Sequence, residues 1–128
     1  MNLGVRLRKA FPKVDFFCGW TSVGPKADEY LREHAKIRGL NYKQTLALPE
    51  ADLAFNFDVD HINRADAGLL VMPCGKSGWA EGGYMRGQGK PVWVLFDEEP
   101  ERIDLMTKFF SDLFFSEKEL VRNLKKKL

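Results

Sequence analysis

Two carboxylates sit where a carboxylate can do chemistry. Glu81 lies in the run CGKSGWAEGGYMRGQGKPV, residues 74–92, among glycines at 75, 78, 82, 83, 87 and 89. An acidic residue in the first turn of a helix is favoured by the helix dipole, so Glu81 alone has an ordinary reading. Each interior glycine, however, costs a helix about 1 kcal/mol against alanine. A helix this rich in glycine implies that something comes close to its backbone, either the sheet or a ligand. Asp58, in FNFDVDHINRAD (residues 55–66), poses the same choice. With Asn56 as N-cap it is charge at a helix start, or else it is a carboxylate aimed into a cleft. Two carboxylates at one cleft can divide the work of cleaving a glycosidic bond, one attacking the anomeric carbon and one serving as acid. Trp20 and Trp79 offer flat apolar faces, for stacking a base or for packing a core. Gly75–Lys76–Ser77–Gly78 precedes a helix whose N–H groups favour anions, and a glycine turn capped by Ser77 is the plainer account. A Walker A loop is excluded, because Leu70 stands where that pattern needs glycine.

The elements that must position these groups follow from periodicity. Val14–Cys18 and, less distinctly, Tyr42–Leu46 read as strands. Gly68–Met72 and Val92–Phe96 are continuous apolar runs, the mark of strands buried on both faces. Leu113–Phe115 supplies a short last strand. Helices are expected over Ala27–Arg38 (ended by Gly39), from Asn56 to Arg64 with Pro49–Phe55 leading into a helix or forming its first turn, over Trp79–Gln88 and over Pro100–Phe110. A last helix runs over Glu117–Lys127, opened by Ser116 and Glu119 as a capping box. Met1–Pro12 reads as an N-terminal extension or a frayed turn. The alternation predicts one α/β domain over residues 1–128, a flavodoxin-like or Rossmann-like three-layer sandwich with about five parallel strands in the order 2-1-3-4-5. That order sets Cys18–Gly19–Trp20 and Cys74–Gly75–Lys76 facing each other at the carboxyl edge.

Composition narrows the class. The chain is 45% apolar and 30% charged, a globular balance. Twenty basic against 18 acidic residues give a net charge of +2, whose evenness argues against a dedicated nucleic-acid binder. No apolar run approaches the roughly 20 residues of a membrane-spanning helix, and no signal-peptide pattern follows the basic start. Two cysteines make no disulfide framework, so a cytoplasmic setting is expected. His34 and His61 lack metal-ligand spacing, and no metal is expected.

The chain resembles the nucleoside 2-deoxyribosyltransferase-like superfamily, which includes 2′-deoxynucleoside 5′-phosphate N-hydrolases. The likeness runs from about Asp15 to the C-terminus. It is carried by Phe16–Gly19 (FFCG), the Asp58-to-Asp66 spacing, and Ala80–Val92 (AEGGYMRGQGKPV), with a PCGKS loop like that of some phage and bacterial members. The resemblance implies that Glu81 attacks the sugar and that Asp58 holds or protonates the departing base. A glycosyl-enzyme ester would then be resolved by water or by a second base, without cofactor. Phe16, Gly19, Trp20, Gly75, Lys76, Ser77, Gly78 and Trp79 would contact substrate, Lys76 favouring a 5′-phosphate. Members often assemble into homo-oligomers. Phe16 stands where active members usually carry a tyrosine that holds the nucleophile. Gly75 stands where they carry an acid or a serine. Two further readings stay open. One is a nucleotide-binding or sensing module without efficient turnover; the other is an interaction protein whose aromatic run Phe109–Phe115 forms an interface.

Overall fold

In a computed structural model, which describes residues 2–17 and 23–128, the chain is mixed α/β and divides into two compact units. One comprises Met1–Lys13 with Ala65–Leu128, the other Val14–Arg64.

The first unit is built on a parallel sheet of three strands, β1 (Gly68–Val71), β2 (Val92–Leu95) and β3 (Asp112–Phe114), in that spatial order. β2 is buried at every position, as its uninterrupted VWVL predicts for a central strand covered on both faces. α5 (Lys76–Gly87) crosses from β1 to β2 and packs on both strands, and α6 (Glu117–Lys127) packs on β3. Leu120 and Leu124, one turn apart on α6, are buried, and Ser116 caps the helix by accepting from the Glu119 N–H at 3.1 Å. Arg86, near the end of α5, donates to the carbonyls of Lys90 and Phe109 and so ties the loops before β2 and β3 together. The stretch expected as a helix from Pro100 to Phe110 is a single 3-10 turn over Leu105–Phe109.

The N-terminal segment is not a frayed extension. It forms α1 (Leu3–Ala10), capped by Asn2, whose Oδ1 accepts from the Val5 N–H at 2.9 Å. Leu7 and Phe11, spaced i and i+4, enter the core.

The second unit is helical: α2 (Val23–Arg38), α3 (Tyr42–Leu46) and α4 (Pro49–Arg64) pack on one another. Two of the five expected strands differ here. Residues 14–17 form no strand, and 42–46 form α3. A capping box closes α3, Gln44 N–H to Asn41 Oδ1 at 2.8 Å and Asn41 N–H to Gln44 Oε1 at 2.9 Å. Those two bonds satisfy orphan donors at a helix start, and they outweigh the weak alternation that suggested a strand. Among the described residues the sheet therefore has three strands, their order matching the last three of the five expected. No helix among them is long and apolar enough to cross a membrane.

The glycines of α5 separate cleanly. A Cβ on Gly82 would stand 2.8 Å from Leu70 Cδ1 and 3.0 Å from Phe110 Cε1, whereas one on Gly83 would meet nothing within 4 Å. Close approach by the sheet thus accounts for Gly82 and not for Gly83. We expect Gly82→Ala to destabilise by about 1–3 kcal/mol through overpacking. Gly83→Ala should stabilise by about 0.5–1 kcal/mol through helix propensity. Urea titrations of the two variants check the opposite signs.

Candidate functional site

The loop between β1 and α5 leaves the carboxyl end of a parallel strand, the edge at which open α/β sheets gather ligands. It begins with a cis Met72–Pro73 bond and passes through Cys74 to Gly75. Gly75, not Ser77, is the N-cap of α5, and it supplies no side-chain cap bond. Lys76 and Ser77 are the first two helical residues and both are exposed. Gly78 lets the loop fold down on the helix: a Cβ there would lie 2.8 Å from Cys74 Sγ. Trp79 is half-buried with its ring 5.6 Å from that of Phe110, so part of its surface serves the core.

Because α5 begins at Lys76 rather than near Trp79, Glu81 is its sixth residue and stands in the second turn. The dipole effect fades beyond the first turn, so the simplest structural account of an acid at this position no longer applies. Glu81 is exposed, and its charge reaches the loop. Burial raises the Cys74 thiol above its ordinary pKa, and the Glu81 carboxylate raises it further. Cys74 is therefore held as a neutral thiol, a poor nucleophile, beside a carboxylate.

Asp58 belongs to the other unit. It is the tenth residue of α4, which starts at Pro49, so Asn56 is no cap and Asp58 is not first-turn decoration. Pro49 at the first helical position, with Glu50 and Asp52 in the first turn, is the start signal that places the helix earlier. Asp58 is half-buried. Burial pushes its carboxyl above the usual range, the Asp28 charge adds to this, and His61 opposes it. A raised carboxyl keeps more of its acid form toward neutrality, as a proton donor requires.

His61 was not legible as a partner from ligand spacing, yet its charge acts on Asp58 and its ring is held by two aromatic neighbours. It lies one turn beyond Asp58 on α4, stacks on Phe17 at 3.9 Å and tilts against Phe57 at 4.4 Å. Its Nδ1 stands 2.9 Å from the Phe57 carbonyl, which can only accept, so Nδ1 donates there. The i, i+3 spacing of Asp58 and His61 is the signal that could have found the pair.

Phe16 is half-buried in the second unit. Cys18, Gly19 and Trp20, and with them the expected pairing of Cys18–Gly19–Trp20 with the Cys74 loop, lie outside the described residues. Among the described residues no three His, Cys, Asp or Glu side chains gather as for a metal ion. The aromatic run splits: Phe114 is buried, Phe110 half-buried, and Phe109 and Phe115 are exposed.

Comparison of the chain with protein-family models, with curated proteins and with solved structures finds no match.

Proposed function

We propose that this protein cleaves or transfers the N-glycosidic bond of deoxynucleosides or their 5′-monophosphates, with Glu81 as the nucleophile. The observation that carries the reading is Glu81 itself. It is an exposed carboxylate in the second turn of α5, beyond the helix-dipole account, beside the loop that leaves the carboxyl end of β1. In this mechanism the carboxylate oxygen bonds to the anomeric carbon as the bond to the base nitrogen breaks, and the base leaves with a proton. Asp58 is the candidate donor, supported by its raised carboxyl. Water or a second base then opens the glycosyl ester and restores the carboxylate. Lys76, exposed at the first position of α5, suits a 5′-phosphate, for which helix N–H groups add further donors. Homo-oligomeric assembly and a cytoplasmic setting belong to the same proposal.

The test is base release from a panel of deoxynucleosides and their monophosphates, followed by chromatography with and without an acceptor base. Release of base supports the reading; no release from any member of the panel removes it. One observation favours a second reading, a binding module without turnover: Phe16 carries no hydroxyl with which to hold a carboxylate. Tight nucleotide binding without base release selects that reading.

A further inference from the structure

The even charge balance of the whole chain conceals a segregation that the fold turns into a surface. Residues 1–13 and 117–128 hold nine lysines and arginines against two glutamates, while residues 14–116 hold eleven against sixteen acids. The two basic segments are at opposite ends of the sequence, yet both belong to the first unit. Arg6 on α1 donates from Nε to Glu117 Oε1 on α6 at 2.6 Å, which joins them. That pair occupies one of the two acids. The other, Glu119, is half-buried in the capped first turn of α6.

Lys118, Arg122 and Lys125 follow at i, i+4 and i+7 and share one side of α6. With Glu117 and Val121 they line a shallow groove. All three are exposed, and no ion pair among the described residues involves them. On α1, Lys9 lies one turn beyond Arg6 on the same side, and Lys13 follows. Helix electrostatics explain part of this charge, since Lys125, Lys126 and Lys127 complement the C-terminal end. They do not explain Lys118, a cation in the first turn, where the dipole disfavours it.

We propose that the α1–α6 face binds the phosphate backbone of a nucleic acid. Charge complementarity names the partner, and the row of cations, spaced about 6 Å and then about 4.5 Å along the helix axis, suits a polymer whose charge repeats regularly. An anionic membrane fits less well. Interfacial helices insert an apolar face, and that of α6, Leu120 and Leu124, is already buried in the unit. The groove lining holds no aromatic side chain on which a base could stack, so the contact is to backbone and carries no sequence preference. Chain totals average over this face, which is why they argue against such a partner. The inference stands apart from the activity proposed for Glu81.

The experiment is fluorescence polarisation of the full chain with a labelled 20-nucleotide single strand and a 20-base-pair duplex, from 50 to 200 mM salt. We expect saturable binding that weakens steeply with salt. The triple variant Lys118→Gln, Arg122→Gln, Lys125→Gln should lose at least tenfold in affinity at 50 mM. Its log–log salt slope should flatten by about two to three, the contribution of three phosphates. A control pair in the second unit, Lys36→Gln with Lys43→Gln, should change affinity less than twofold. A thermal melt of each variant confirms that it is folded, and Lys118→Gln alone provides the readout if the triple variant is not. No binding at 50 mM salt, equal losses in the triple variant and the control pair, or binding to phosphatidylserine vesicles without binding to either nucleic acid would overturn the proposal.

Discussion

Glu81→Ala lowers base release by at least about 10³-fold, the scale on which losing a covalent nucleophile is felt, and leaves the fold intact. The second half of that expectation gives the first its meaning. Glu81 is exposed on α5, past the turn in which the dipole rewards an acid, and alanine is at least as good a helix former. Any loss of stability should therefore stay within about 1 kcal/mol, the scale of a surface interaction. Glu81→Gln supplies a readout independent of turnover. The Glu81 charge helps to raise the Cys74 thiol, so its removal lowers that pKa, while burial still holds it above the ordinary value. Thiol alkylation rates followed against pH should shift to lower pH in the Gln variant. Base release that survives Glu81→Ala would remove the mechanism, whatever the thiol does.

The largest stability effect is expected at Phe114. Its side chain is 1% exposed, while that of Phe115, the next residue, is 46% exposed and stacks on Phe96 at 5.2 Å. The Phe114 carbonyl also accepts from the Phe96 N–H at 2.7 Å just past the end of β2, holding the carboxyl ends of β2 and β3 together. Truncation to alanine removes the ring's burial and leaves a cavity in a packed sheet–helix layer. The cost is about 3–5 kcal/mol, a large share of the about 5–15 kcal/mol that holds a domain folded. Phe115→Ala should cost about 1 kcal/mol, because one face of that ring is already in water. Urea midpoints measured side by side test this; equal losses at the two positions would contradict their difference in burial.

The sheet of the first unit was largely legible. Gly68–Met72 and Val92–Phe96 are read from unbroken apolar runs, and both strands lie there, each ending one residue earlier than expected. The Ser116 cap places α6 to the residue, and Gly39, with φ +66°, ends α2 as expected. What failed was local competition. Tyr42, Gln44 and Leu46 alternate weakly enough to suggest a strand, and the Asn41–Gln44 capping box, also visible in the sequence, decides for a helix. Leu3, Leu7 and Phe11 at four-residue spacing behind Asn2 announce α1, but three basic residues obscure the stripe. At the candidate site the residues were readable and their helix positions were not. α4 and α5 each begin earlier than expected, which moves Asp58 and Glu81 out of first turns. That shift removes the plain explanation that the sequence offered for both carboxylates. The raised carboxyl of Asp58 depends on Asp28, thirty residues away, and no spacing rule points to that pair.

The bond from Arg6 to Glu117 spans 111 residues, and the unit it joins is interrupted by all of 14–64. During synthesis α1 leaves the ribosome well before α6. At about 5–20 residues per second the Arg6–Glu117 bond must wait roughly 5–20 s to form. The helical second unit, built on contacts near in sequence, can condense in the meantime.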